Sequence, residues 1–373
     1  MLGRRTGWRR ILGWVLLIAT GGGTLLLLFA WSGLYSVAAS RGHWPIVEWL
    51  LEFGMENSVE THAPGIAPPR LDDPDLIRLG AAHFLSACAE CHGAPGTEVS
   101  HIALGMLPPP PDLRHRAHEW TDQELFWIAK HGLKYTGMPA WPTQERDDEV
   151  WAVVAFLRKL PELDVAAYRA LAYGDVRQEP QDGEDIAMTG GGLRALGACA
   201  RCHGAGDRGP LSALVPRLHG QPAPMLEEAL RAYAEGMRPS GIMQPLAAAL
   251  SARTIRDVAN YYTGLGALPS PSPAQSEPGR RLATEGDAVA EIPPCLSCHD
   301  RQALPVYPRL AGQNARYMAN RLRVMQQSAR ERTATQAIMI PIARRLSEQQ
   351  IIDLAAYFAS LPPEPPLAGT AAR

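Results

Sequence analysis

Cys88-Ala-Glu-Cys91-His92, Cys199-Ala-Arg-Cys202-His203 and Cys295-Leu-Ser-Cys298-His299 use all six cysteines of the chain. Two thiols separated by two residues span the two vinyl groups of a haem, and the residue that follows brings an imidazole nitrogen beneath the iron. Each motif therefore reads as a site for covalently attached haem c. Cys88 and Cys91, Cys199 and Cys202, and Cys295 and Cys298 hold the macrocycle, and His92, His203 and His299 are the first axial ligands. The rival reading is zinc, which needs four ligands. No second cysteine pair accompanies any motif, and the third segment has no histidine besides His299. A thioredoxin-type pair needs an α/β frame, and no alternating strand pattern of useful length occurs.

Working outward, the order of features around each motif repeats three times, with a period of about 95 residues. A helical stretch precedes the motif; a proline-rich loop, a methionine near a proline and an amphipathic helix follow it. His203 to Met243 and His299 to Met339 are both 40 residues. Pro-Arg-Leu recurs at 216–218 and 308–310, and Leu-Ser at 250–251 and 346–347, where each serine is placed to cap a helix. In the first segment His92 to Met138 is 46 residues. A helix is predicted from Thr121 and a closing one from about Asp147 to Leu160, stopped by Pro161. The fold class expected is all-α: one N-terminal transmembrane helix, then three tandem modules. The expected divisions are 1–35 (basic tip and anchor), 36–73 (linker), and modules at 74–173, 184–267 and 279–363. Gly174–Gly183 and Pro269–Pro278 read as the connecting linkers.

The second axial ligand must come from the distal side. In the third segment a nitrogen ligand is closed off. Met318 and Met325, seven apart on one predicted helix, read as a core-facing stripe, which leaves Met339. The shared spacing assigns Met243, with Met237 as the alternative. In the first segment Gly137-Met138-Pro139 holds a thioether on a loop between helices. Met106 reads as packing against the haem, and His83 is expected to face outward. Proline beside each methionine should stiffen these loops. A His/Met pair raises the reduction potential relative to two imidazoles and fills both axial positions, which favours electron transfer over catalysis. Gly93 and Gly204 follow the first two haem histidines and allow a sharp turn. Asp300 takes that place in the third segment, either as drift or as a carboxylate that lowers the potential there.

Formal net charge is −2, which argues against a nucleic-acid partner. Arg4, Arg5, Arg9 and Arg10 precede an uncharged apolar run from Ile11 to Trp31, long enough to span a bilayer. Arginines before the run and none within it place the N-terminus in the cytoplasm and the modules in the periplasm of a bacterial inner membrane. A cleaved signal peptide ending near Val37-Ala38-Ala39 is the alternative. Between anchor and first module, Trp44–Gly54 either lies on the membrane surface or packs against the first module. Charge is uneven: residues 71–164 carry 8 basic and 15 acidic side chains, and 312–346 carry seven arginines and one glutamate. This reads as a solvated face or as two docking surfaces at opposite ends of a haem wire.

At these motifs the chain resembles class I cytochromes c over roughly residues 74–363. The first segment, with Cys88–His92 and Gly137-Met138-Pro139-Ala-Trp141, is similar to monohaem domains of the cbb-type oxidase cytochrome-subunit kind. The second and third, with their Pro-Arg-Leu motifs, resemble tandem dihaem periplasmic cytochromes. The resemblance implies three covalent haems c, His/Met ligation and electron traffic toward a membrane terminal oxidase or from a quinol-oxidising complex. The anchored layout also resembles cytochrome subunits of membrane-bound alcohol or sugar dehydrogenases, which implies a periplasmic dehydrogenase as the alternative partner. The third segment departs from the pattern: it lacks a clear Gly-x-x-x-aromatic pair before Cys295, unlike Gly80 and Phe84 before Cys88.

Overall fold

A computed structural model describes residues 3–174, 191–269, 276–300 and 302–363, and the described residues are helical, with no strands. The Gly174–Gly183 linker, beyond Gly174, and the start of the second module lie outside the described residues, as does most of the 269–278 linker.

Helix α1 (Gly3–Ser32) contains Arg10–Ser32, a stretch long and apolar enough to cross a membrane or to be a signal sequence, and it is fully exposed. Helix α2 (Pro45–His62) starts at a proline, where the missing N–H costs nothing. Its start is held against the end of α1, with Trp44 and Phe29 ring centroids 5.9 Å apart.

Three hydrophobic clusters follow, one around each Cys-x-x-Cys-His motif. In the first, α3 (Pro74–Ala87) leads into the one-turn helix Ala89–His92 that carries the motif. Helix α4 (Asp122–His131) opens on a capping box in which Thr121 and Glu124 each bond the other's backbone N–H. Helix α5 (Asp147–Lys159) closes the unit. A further helix, α6 (Val165–Tyr173), capped by Asp164, packs against α3 and lies beyond the sequence-based expectations.

In the second unit α7 (Gly191–His203) ends on the motif, and α8 (Ala223–Ala234), the short α9 (Met243–Ala248) and α10 (Ala252–Gly264) complete it. The third unit contains α11 (Glu277–Glu285), the one-turn helix Leu296–His299, α12 (Ala315–Gln327), α13 (Ala334–Arg345) and α14 (Glu348–Ser360). Ser251 and Ser347 cap α10 and α14, as their spacing predicts.

The opening helix crosses the closing helix at a glycine in both the first and third units. A Cβ on Gly80 would lie 1.9 Å from the Ala152 carbonyl oxygen, and one on Gly279 would lie 2.1 Å from that of Asp353. Gly279 is thus the third unit's counterpart of Gly80. It escapes the spacing rule because the loop from Gly286 to Pro294 separates α11 from Cys295.

Arg316 of the third unit pairs with Asp73 and Asp75 of the first, and Arg332 pairs with Glu145. Asn320 donates to Asp148 at 2.8 Å. Two of the seven arginines of 312–346 are thereby taken up by carboxylates of the first unit, whereas Arg323 and Arg345 pair with Glu348 and Glu291 of their own unit.

Candidate haem sites

Each motif histidine is oriented in the same way. Nδ1 of His92 lies 2.8 Å from the Pro111 carbonyl oxygen, Nδ1 of His203 lies 3.1 Å from that of Pro216, and Nδ1 of His299 lies 2.9 Å from that of Pro308. A metal-binding histidine characteristically donates its second ring N–H to a carbonyl or carboxylate, which fixes the tautomer and leaves Nε2 for the metal. Burial lowers the pKa of all three imidazoles, and the bond to the proline carbonyl only partly offsets it. The neutral form, the one that ligates iron, is therefore favoured.

The cysteines are half-buried and free. Burial pushes the Cys88 thiol up to about 12, and those of Cys199 and Cys295 to about 11. A reactive thiol of a redox-active pair has a depressed pKa, and burial does the reverse at Cys88, Cys199, Cys202 and Cys295. Among the described residues no three His, Cys, Asp or Glu side chains gather as a metal cluster, so the zinc reading finds no ligand set.

The second and third units share a cavity of about 1180 Å³. Single-ligand pockets run to about 300–1,000 Å³, and this one is larger. Its wall includes Cys199, Cys202, His203 and Met243 on one side, and Cys295, Cys298, His299 and Met339 on the other. Met237 is not part of that wall; its carbonyl accepts from Gln336 at 3.2 Å. Met225, Met318 and Met325 reach the same cavity, so the stripe formed by Met318 and Met325 faces the site as well as the core. The wall is mostly apolar yet holds buried nitrogens without partners, Arg238 Nε and Arg321 Nε. Paired thiols, oriented imidazoles, apolar walls and cationic groups in want of an anion suit a haem, which carries an apolar ring and two carboxylates.

The first set, Cys88, Cys91, His92 and Met138, lies outside that cavity. Met138 sits on the non-helical segment between α4 and α5, half-buried, with its N–H bonded to Thr136 Oγ1 at 3.0 Å. A Cβ on Gly137 would meet Met106 Sδ at 2.6 Å, so Met106 packs on the Met138 loop. The loop expectation fails for the other two methionines: Met243 opens α9, and Met339 lies within α13, which also contains Pro341.

Gly93 and Gly204 have φ of +70° and +74°, and both make the sharp turn their position requires. Asp300 has φ −77°, is exposed and accepts from the Gln302 N–H at 3.1 Å. Its carboxylate caps a local turn. His83, expected to face outward, is buried, with its ring 4.7 Å from that of Trp141. Burial pushes its pKa down to about 4. The periodicity of α3 alone leaves that face free; the Trp141 loop covers it, and α7 of the second unit also packs on α3.

The fold and these sites define an electron-transfer c-type cytochrome. A family model described as cytochrome c oxidase, cbb3-type, subunit III matches residues 75–157 and 188–261. The chain is similar to the thiosulfate dehydrogenase electron acceptor of Stutzerimonas stutzeri, 36% identical over 196 residues, covering 50% of this chain and 89% of that protein. It is similar to cytochrome c4 of Pseudomonas aeruginosa, 27% identical over 175 residues, covering 46% of this chain and 87% of that protein. Among solved structures, cytochrome c4 of Acidithiobacillus ferrooxidans is 32% identical and covers 44% of this chain and 98% of its own, with a TM-score of 0.40. The chain belongs to the class I c-type cytochromes, whose members carry covalent haem c.

Proposed function

We propose that this protein carries three haems c and relays electrons from a periplasmic dehydrogenase to a membrane terminal oxidase. The haems occupy modules at 74–173, 184–267 and 279–363, with axial pairs His92/Met138, His203/Met243 and His299/Met339. The observation that carries this is the hydrogen bond from each motif histidine to a proline carbonyl, made three times over. Haem iron holds the electron by cycling between ferric and ferrous states. The polypeptide contributes ligand orientation, exclusion of water and the short separation of the second and third sites that a shared cavity implies.

The donor side is favoured by the Stutzerimonas relative, whose name makes it the electron acceptor of thiosulfate dehydrogenase. The acceptor side is favoured by the match to a cbb3-type oxidase subunit. Helix α1 serves as the anchor, with the arginine-rich N-terminus cytoplasmic and the haem modules periplasmic. Helix α2 then runs along the membrane surface. Its exposed Ile46, Trp49, Leu50 and Phe53 fall at i, i+3, i+4 and i+7, and Val59 is buried on the opposite face, which packs toward α4.

Stopped-flow mixing tests the relay. The oxidised protein is expected to be reduced by thiosulfate only when thiosulfate dehydrogenase is present, and to be reoxidised by membranes that hold a cbb3-type oxidase. Reduction by quinol-oxidising membranes, with none by thiosulfate and its dehydrogenase, would instead make a quinol-oxidising complex the donor.

A further inference from the structure

Each of the three units sends one arginine into a common junction: Arg146 from the first, Arg238 from the second and Arg321 from the third. All three line the cavity shared by the second and third sites. Arg146 is fully engaged. It pairs with Asp148 and Glu149 at 2.8 Å each and donates to the Pro239 carbonyl at 3.2 Å. Glu149 in turn accepts from Ser240 Oγ and the Gly241 N–H, both at 2.6 Å.

The other two arginines lack a counter-charge. Arg238 lies over the Tyr233 ring, 4.7 Å from its centroid, and reaches the Tyr317 hydroxyl at 3.5 Å. Its Nε is shut off from solvent and unbonded. Arg321 makes no hydrogen bond or ion pair among the described residues, and its Nε is likewise shut off. Burial, with repulsion from Arg238 and Arg146, pushes the Arg321 pKa down to about 10, partly offset by Tyr233 and Tyr317. A buried cation without a counter-ion is strongly unfavourable, whereas one paired with an anion is tolerated. The two tyrosine hydroxyls and two guanidinium groups form a donor-rich patch in an otherwise apolar wall.

We infer that Arg238 and Arg321, with Tyr233 and Tyr317 beside them, form a carboxylate site that receives haem propionates of the second and third units. Arg146 closes the site from the first unit. Docking of the first unit is thus tied to haem loading in the other two. The inference rests on the reading that both units carry haem. Arg238 and Arg321 are positioning residues: their positive charge favours the ferrous over the ferric state of the haem beside them.

The test uses the mature full-length holoprotein, with Arg321→Met and Arg238→Met as the charge-removing variants and Arg321→Lys as the charge-keeping one. Each is followed by intact mass, spectroelectrochemical titration and thermal unfolding. Each Met variant is expected to keep its covalent haems, to shift the reduction equilibrium of one centre toward ferric by about threefold to thirtyfold, and to unfold at lower temperature. Arg321→Lys is expected to hold that equilibrium within about twofold of the parent. Met variants that titrate like the parent and unfold at higher temperature, as removal of an unpaired buried charge predicts, would overturn the inference. If a Met variant fails to mature, an Arg321→Lys protein that shows a Met-sized shift overturns it. A parent protein with no haem on Cys199/Cys202 or Cys295/Cys298 strikes the underlying haem assignment instead.

Discussion

Gln221 of the second unit and Arg309 of the third exchange two hydrogen bonds. The Gln221 side-chain amide donates to the Arg309 carbonyl at 2.8 Å and accepts from its N–H at 3.0 Å. Gln313 and Arg217 repeat the exchange in the opposite sense, at 3.0 and 2.8 Å. The sequence source is one motif used twice, Pro216-Arg-Leu-His-Gly-Gln221 and Pro308-Arg-Leu-Ala-Gly-Gln313. Its proline carbonyl orients the motif histidine, and its glutamine reads the backbone of the other copy. The haem loop and the interface between units are therefore the same six residues, related by a local pseudo-two-fold axis.

Removing one glutamine leaves a buried N–H and carbonyl of the opposite loop unpaired. Gln221→Ala is expected to lose about 1–3 kcal/mol of stability, read by denaturant unfolding of the holoprotein. Gln313→Ala should cost a similar amount. A loss below about 0.5 kcal/mol for both would show that water replaces these bonds without penalty.

The helix crossings make a second prediction. Gly80→Ala and Gly279→Ala each drive a methyl group into a backbone carbonyl and are expected to destabilise by about 1–3 kcal/mol. Gly197 in α7 has open space where its Cβ would sit, so Gly197→Ala is expected to be neutral or stabilising by about 0.5–1 kcal/mol. Thermal unfolding of the three variants checks the contrast.

Much of this was legible in the sequence. Three Cys-x-x-Cys-His motifs, a helix start at Thr121 and helix caps at Ser251 and Ser347 gave the helical modules. Relations between units were not legible, because they depend on residues far apart in the chain. His83 looks surface-facing until the Trp141 loop covers it. Nothing local to the 312–346 run shows that Arg316 and Arg332 meet carboxylates some 190 to 240 positions earlier. The spacing was also less uniform than it looked. The Pro-Arg-Leu motifs are offset by 92 residues and the haem histidines and methionines by 96, so the equal 40-residue spans conceal loops of different length on either side of Pro216 and Pro308.

The link between the first and third units should depend on pH. Hydrogen bonding from Arg316 holds the Asp73 carboxyl below its ordinary value of 3.8. A carboxyl whose folded pKa is lowered stabilises the fold above its unfolded pKa and loses that effect as pH falls through the folded value. Arg316 is partly exposed, so Arg316→Ala is expected to cost at most about 1 kcal/mol at pH 6. The difference should shrink as pH falls below 3.8 and through the lowered folded value. Comparing parent and variant unfolding at pH 6 and across that acid range checks the sign. A difference that grows on acidification would contradict the assignment.

Replacing a thioether by an imidazole lowers a haem potential. Met339→His is expected to move one of three midpoints downward and to remove about one third of the sulfur-to-iron absorption in the near infrared. Met318→Leu and Met325→Leu should leave both unchanged, although both side chains reach the same cavity. Loss of the band in either leucine variant would transfer the ligand role from Met339.

The intact mass of the mature polypeptide tests the central claim most directly. The account predicts three covalent haem additions, one to each of the pairs Cys88/Cys91, Cys199/Cys202 and Cys295/Cys298, located by mapping the haem-bearing peptides. A polypeptide with fewer than three additions, or with zinc in their place, would contradict it.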